Sequence, residues 1–468
     1  MNKRAVLPLV DGVRIVVPDS VDLLTPYVLR EQGDWFEDEI RFVRQALGPG
    51  QQAIDIGANY GVYALSIGKA VGPNGKVWAF EPASTTAEFL AASIAENGFS
   101  QVVLERSALS GAAGFASLSL NYNPELNALR PGAAAADASE RVPLVTLDER
   151  AATFDWRDID FVKIDAEGEE LNILQGGARF FADLSPLVQY EIRGGSASQD
   201  DLVAAFADRG YRSYRLVPGL GLLVPFDTGA PADEYVLNLF CCKPDRAARL
   251  VARGLLVEPV PAMGAPVAAG KGAYGWQTTL ATLPYGQVLA GLWQQQAAAG
   301  VGAEVIAPLA EYALSRDPAR PAAERLSALE SAYSRLRALC AADSSRLRLV
   351  SLARVARDFG ARKIAVQSLV EILDRADKTR GVDVGEPFLA PGPRFDSLAP
   401  GPHISNWVVA GVLEELERLA AHSSYFLGDG SLNRLTSISQ LGFGSDEMHR
   451  RRELVERRFG RGIALPGA

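Results

Sequence analysis

The segment Val162-Lys163-Ile164-Asp165-Ala166-Glu167-Gly168-Glu169-Glu170 crowds four carboxylates into six residues beside a glycine turn. Like charges that close repel, so a cation, a helix N-terminus, Lys163 or hydrogen bonds must offset them. Glu191, ending a short apolar run, can face the same crevice. A carboxylate can take the proton of an acceptor hydroxyl, and several together can hold a metal ion that activates it. Histidine, the usual base, occurs only late in the chain, at His403, His422 and His449. Asp165, Glu167 and Glu191 are therefore the catalytic candidates. Hard oxygen ligands suit Mg2+ or Ca2+. The same residues also read as helix capping with an ion pair to Lys163 or Arg193. A divalent metal is thus an alternative and not the preferred reading, and no metal ligand is assigned.

A second constellation lies upstream, in Asp55-Ile56-Gly57-Ala58-Asn59-Tyr60-Gly61. Glycines between a strand and a helix let the backbone turn sharply and approach a ligand. A dinucleotide loop would need G-x-G-x-x-G, but counting from Gly57 the next two positions are Asn59 and Val62, so that fingerprint fails. Asp55 beside the loop disfavours a phosphate and favours a ligand that carries positive charge or donors. S-adenosylmethionine, with an ammonium, a sulfonium and no phosphate, meets that requirement. Glu81, in Phe80-Glu81-Pro82, follows Asp55 by 26 residues, one strand-helix-strand length, and is placed to accept from both ribose hydroxyls.

The elements that would position these residues are legible as alternating apolar runs and helical patterns, the mark of a doubly wound parallel sheet. Strands are expected at Ala53 to Ile56, Lys76 to Phe80, Val102 to Arg106, Phe161 to Ile164, Leu187 to Glu191, Tyr211 to Leu216 and Tyr235 to Cys241. Helices are expected at Gly61 to Val71, Thr85 to Asn97, Glu169 to Leu174 and Gln199 to Arg209, with a lid helix at Trp35 to Leu47. Arg130 to Ser139 reads as a loop or hairpin tip. Past a Gly/Ala/Pro-rich stretch the pattern is helical: Val301 to Ser315, Ala322 to Ala342, Ser345 to Phe359, Ala361 to Ala376 and Asn406 to Ala421. The Pro-rich segment 386–402 carries Phe388, Leu389 and Phe395, which suit a loop packed on those helices.

Composition narrows the function classes. A net charge of -9 disfavours a nucleic-acid partner. The late arginines, Arg450 to Arg452 with Arg457, Arg458 and Arg461, alternate with Glu453 and Glu456 and read as a solvated helix face. Cys241, Cys242 and Cys340 form no C-x-x-C pair, which fits a reducing cytoplasm. No apolar run suits a signal peptide or a membrane span.

Taken in order, Phe36-Glu37, DIGANYG, FEP, SALS at Ser107 to Ser110, VTLDE at Val145 to Glu149, VKIDAEGEE followed by LQGG, and YEI resemble the FkbM-type methyltransferases over about residues 10–243. That resemblance implies that Asp55, Gly57, Asn59, Gly61 and Glu81 hold S-adenosylmethionine, that Ser107 and Ala108 lie by the adenine, and that Glu37 approaches the methionine end. It also implies an oxygen acceptor on a sugar, polyketide or other secondary metabolite. Ala166 departs from the branched residue usual there.

The expectation is an α/β fold: a seven-stranded, mostly parallel Rossmann-like methyltransferase sheet with helices on both faces, plus a second, all-α domain. Residues 1–245 would form the methyltransferase domain, with 1–50 as N-terminal extension and lid. Residues 246–300 would connect it to an α-helical docking or oligomerisation domain at 301–468. The function expected is cytoplasmic O-methylation of a small-molecule or glycan hydroxyl, with neither nucleic acid nor membrane as partner. A non-catalytic scaffold or carrier-binding protein and an N-methyltransferase are the alternatives.

Overall fold

A computed structural model describes residues 3–130, 138–192, 197–229, 233–260, 274–344, 346–376 and 382–459. The loop expected at Arg130 to Ser139 lies largely outside them, as do Arg193 and Arg461. The chain divides into two compact units: 1–216 with 225–255, and 217–224 with 256–468.

In the first unit the strands are β1 (Arg4–Pro8), β2 (Arg14–Pro18), β3 (Gln52–Ile56), β4 (Lys76–Phe80), β5 (Val102–Glu105), β6 (Ala108–Leu109), β7 (Gly114–Ser119), β8 (Ala128–Arg130), β9 (Ser139–Val145), β10 (Phe161–Ile164), β11 (Leu187–Glu191) and β12 (Arg212–Val217). β14 (Asn238–Cys242) completes them, and β13 (Leu222–Pro225) falls in the second unit up to residue 224. The main sheet runs β13-β12-β14-β11-β10-β3-β4-β5. Its pairs from β11 to β5 are parallel, and β14 is antiparallel to both neighbours. Eight strands therefore stand where seven were expected. The extra one is β13, whose four residues follow the Gly219 to Gly221 turn. A second sheet, β6-β9-β7-β8, is an insertion that sequence periodicity did not reveal, because β6 and β8 are two and three residues long.

Chain order reverses between β3 and β10: β4 and β5 extend one way, β10 and β11 the other. Ligands bind open α/β sheets in the crevice at such a switch point, beyond the C-terminal strand ends. The apolar runs of β3, β4, β10 and β11 are buried on both faces, as in a sheet covered on each side. The helices are α1 (Leu24–Gln32), α2 (Glu39–Ala46), α3 (Val62–Val71), α4 (Ser84–Asn97), α5 (Leu147–Phe154), α6 (Glu170–Gly176), α7 (Ala178–Asp183), α8 (Ala197–Ala207) and α9 (Pro244–Ala252). The expected lid helix is shorter than its pattern and begins at Glu39. Its Phe42 meets Phe240 edge-on at 5.0 Å, so it packs on the face carrying β14.

The second unit holds α10 (Pro284–Ala298), α11 (Ala303–Ser315), α12 (Ala322–Ala342), α13 (Arg346–Phe359), α14 (Arg362–Ala376), α15 (Ile404–Leu419), α16 (Ser424–Leu427), α17 (Gly430–Gln440) and α18 (Asp446–Phe459). Two helices reach into or lie within the segment 246–300. α9 belongs to the first unit, with Arg246 bonded to Asp160, and α10 buries Tyr285, Leu289 and Trp293 in the helical core. The Pro-rich segment is packed as expected, its Phe388 and Phe395 buried against Trp407. Among the late arginines Arg451 is no surface residue: it is 1% exposed, bonded to Glu447 and to the Glu417 carbonyl. Among the described residues no helix is long and apolar enough to cross a membrane.

Candidate functional site

The glycine loop turns as the sequence requires. Gly57 has φ 78°, and a Cβ there would stand 1.8 Å from the Asp165 carbonyl oxygen. Gly61, at φ 92°, precedes α3, and a Cβ on it would strike Leu90. Asn59 also adopts a left-handed conformation, φ 48°, which asparagine tolerates better than most residues. Its amide N–H donates to Glu81 Oε2 at 2.9 Å, while the Ala83 N–H donates to Oε1 at 2.8 Å. Two backbone donors thus fix the Glu81 carboxylate beside the loop. Burial pushes Glu81 up to about 7 even against those donors.

Asp55 is fully buried, and neither carboxylate oxygen has a hydrogen-bond partner. Burial pushes it up to about 6, although Lys163 on the adjacent strand pulls the other way. Leaving a buried acceptor unmet is costly. Ser107 presents the same feature, its hydroxyl buried and unpartnered where β5 ends. Ala108, buried, begins β6 and pairs with Leu144.

Lys163 organises the floor of the crevice. Its Nζ donates to Asp165 Oδ2 at 2.6 Å and lies 4.9 Å from the Tyr63 ring centre. Burial alone would lower this amine, but Asp165, Asp55 and Glu37 outweigh that and keep it protonated. Beside it a buried chain of bonds runs from Gln189 Nε2 to the Tyr63 hydroxyl, 3.2 Å, and from that hydroxyl to Glu37 Oε2, 2.6 Å. Glu37 is pushed up by burial and pulled back by Lys163 and Tyr63. Tyr63 and Gln189 were missed in the sequence; a glutamine inside the apolar run Leu187–Glu191 was the available signal.

The acidic segment separates into two sets. Glu169 accepts from Ser110 and Asn172, and Glu170 accepts from the amides of Ala166 and Gly168. Those two serve the turn into α6. The carboxylates of Asp165, Glu167 and Glu191 instead converge, with one oxygen of each within 4.8 Å of the others. Glu167 reaches this position from a left-handed backbone, φ 49°, followed by Gly168 at φ 102°. Burial, then Asp165 and Glu167, push Glu191 up to about 8. The structure therefore brings Asp55, Gly57, Lys163, Asp165, Glu167 and Glu191 to one end of the switch point. Glu81 and Ser107 are set along the tips of β4 and β5.

Residues 55–213 match the family model described as the Methyltransferase FkbM domain. No curated protein matches the chain. Among solved structures, fibrillarin from Aeropyrum pernix with bound S-adenosyl-L-methionine aligns at 11% identity and TM-score 0.28, over 52% of this chain and all of that one. A SAM-dependent O-methyltransferase from Thermotoga maritima aligns at 13% identity and TM-score 0.27, over 51% and 77%. A SAM-dependent methyltransferase from Aquifex aeolicus aligns at 14% identity and TM-score 0.26, over 46% and 93%. The matched residues 55–213 lie in the first unit and include the switch point.

Proposed function

We propose that this FkbM methyltransferase domain transfers a methyl group from S-adenosylmethionine to a hydroxyl oxygen of a sugar, glycan or secondary metabolite. One observation carries the reading: the glycine loop, flanked by Asp55 and Glu81, packs with Gly57 against the Asp165 carbonyl, beside the point where the carboxylates of Asp165, Glu167 and Glu191 converge. The unmet oxygens of Asp55 and the unmet Ser107 hydroxyl fit a ligand that brings both donors and acceptors. Asp55, Gly57, Asn59, Gly61 and Glu81 would hold the cofactor, with Ser107 and Ala108 by its base and Glu37 toward its amino acid end.

The cofactor supplies an electrophilic methyl on sulfur. The chain supplies alignment and proton removal. The carboxylates beside Lys163 draw the proton from the acceptor hydroxyl, and the buried relay through Tyr63 and Gln189 holds Glu37 in place. An alcohol needs this help where an amine does not, so the convergence of three acids supports oxygen over nitrogen. The helical unit is proposed to dock a partner or a second copy of the chain.

The test is calorimetric titration with S-adenosylmethionine of the wild type and Asp55→Ala, with NAD as control. Binding near micromolar, about -8 kcal/mol, weakened in the variant and absent for NAD, is expected. A wild type that fails to bind overturns the reading.

A further inference from the structure

A cavity of about 450 Å3 opens within the first unit beside the glycine loop. That volume falls in the range of small-molecule sites, about 300 to 1,000 Å3. One wall is the chain leaving β2, from Pro18 to Leu23, and another is the turn between β7 and β8, with Asn121, Tyr122 and Asn127. The two walls are joined, because the N–H groups of Leu24 and Thr25 donate to Asn123 Oδ1 at 3.1 Å and to Glu125 Oε1 at 3.2 Å. The inserted sheet thus helps to enclose a space that the main sheet alone would leave open.

Tyr60 and Ala83 complete the lining on the side of the glycine loop. Tyr60 follows Asn59 in that loop, and its ring is held edge-on against Phe89 at 5.7 Å. The Ala83 N–H is one of the two donors that fix Glu81. Among the described residues, neither those assigned to the cofactor nor Asp165, Glu167 and Glu191 line the cavity. It borders their crevice without being part of it.

The charged groups of the lining are already matched. Lys3 pairs with Asp19 at 3.1 Å, and Glu140 caps α4 by accepting from the Ser84 N–H at 3.0 Å. The N-terminus of α4, which would otherwise favour an anion, is therefore taken by a carboxylate. What the lining has left to offer is neutral. Asn127 Oδ1 accepts from the Asn121 N–H at 2.7 Å and Asn121 Nδ2 donates to the Leu126 carbonyl, which leaves the Asn127 Nδ2 donors and the Asn121 Oδ1 acceptor for a ligand. Thr85 and Thr86 add hydroxyls, and Tyr122, 72% exposed, adds a broad aromatic surface. Neutral donors and acceptors beside an aromatic face suit a ring that carries hydroxyls around its edge and C–H groups on its face.

Resting on the methyltransferase reading above, we propose that this cavity binds a neutral saccharide unit of the acceptor, next to the unit whose hydroxyl is methylated. Hydroxyls of the sugar exchange hydrogen bonds with Asn121, Asn127 and the two threonines, and its C–H face lies on the Tyr122 ring. Because the three converging acids lie outside the cavity, an acceptor that fills it and also reaches them is at least two units long.

The experiment is calorimetric titration of the full chain with linear oligomers of glucose, mannose and galactose, with the free monosaccharides for comparison and a polyuronate oligomer as the anionic control. S-adenosylhomocysteine binding is measured on the same samples. At least one neutral oligomer should bind, at least tenfold more tightly than its monosaccharide and than the polyuronate. That affinity should fall at least tenfold in Tyr122→Ala and severalfold in Thr85→Val. Both residues are exposed, so neither variant disturbs the core. Binding of S-adenosylhomocysteine but of no neutral oligomer at millimolar concentration, oligomer affinity equal to wild type in both variants, or preference for the polyuronate overturns the saccharide site and leaves the methyltransferase reading in place. Oligomer binding that the variants weaken, without S-adenosylhomocysteine binding, retains the saccharide site and rejects the methyltransferase reading.

Discussion

Glu81 shows how one desolvated group can couple cofactor binding to pH. Its folded value is raised from 4.5 to about 7 by burial. In the ligand-free protein the protonated form is therefore the stable one. That contribution is complete below about 4.5 and is lost as pH rises through about 7. Ligand binding runs the opposite way, because ribose hydroxyls donate to the carboxylate and must displace the proton. Affinity for S-adenosylmethionine should weaken as pH falls below about 7, by up to tenfold per unit. In Glu81→Gln the affinity should be at least tenfold lower at pH 8 and should lose the change near pH 7, keeping only the fall below about 6 that Asp55 imposes. Calorimetry across that range checks this, and a wild-type affinity that does not change between pH 5 and 8 would remove Glu81 from the cofactor site. The acidity of Asp55 and Glu81 was legible in the sequence because both sit at strand ends. Tyr63 was not, and Gln189 showed only as a polar residue inside an apolar run, because its partner is supplied by another element.

At the scale of elements, the junction of β3 with β10 is where the fold tolerates least. Gly57 combines a left-handed backbone with an approach to the Asp165 carbonyl that leaves no room for a Cβ. Gly50 has a similar φ, 82°, but open space around it. Gly50→Ala should therefore cost only the backbone strain, about 1 to 2 kcal/mol. Gly57→Ala adds a clash that must push two strands apart, and should cost at least about 3 kcal/mol and weaken cofactor binding more than tenfold. Urea denaturation of both variants separates the two contributions, and equal costs would mean that the loop gives way freely. The strands and helices around this junction were readable since each carries a buried apolar run and a stop signal, such as Gly98 after α4. The inserted sheet was not. Its register is set by pairing between β7 and β9, and its outer strands are too short to show alternation.

At the scale of the whole molecule, the second unit encloses paired charge as well as an apolar core. Glu414 and Glu417 are fully buried and Glu415 is 1% exposed, all within about one turn of α15. Arg394 and Arg418 bond Glu414, Arg434 bonds Glu417, and Arg418 extends to Glu415 and Glu447. Such pairs contribute little net stability when complete, but removing one partner strands the other in a low-dielectric interior. Arg418→Met should therefore cost about 3 to 5 kcal/mol, since it takes the shared cation from three acids. The pH dependence gives this loss a signature. Burial alone would raise Glu447, but Arg418 and Arg451 hold it below the ordinary value. Its contribution is present above about 4.5 and disappears as pH falls through the lower folded value. The stability gap between wild type and Arg418→Met should thus be full at pH 7 and narrow on acidification toward about pH 3. Urea unfolding followed by far-ultraviolet circular dichroism, which reports chiefly on helices, measures it. A gap of the same size at both ends of that range would show that Arg418 acts through packing of its stem and not through the charges it joins.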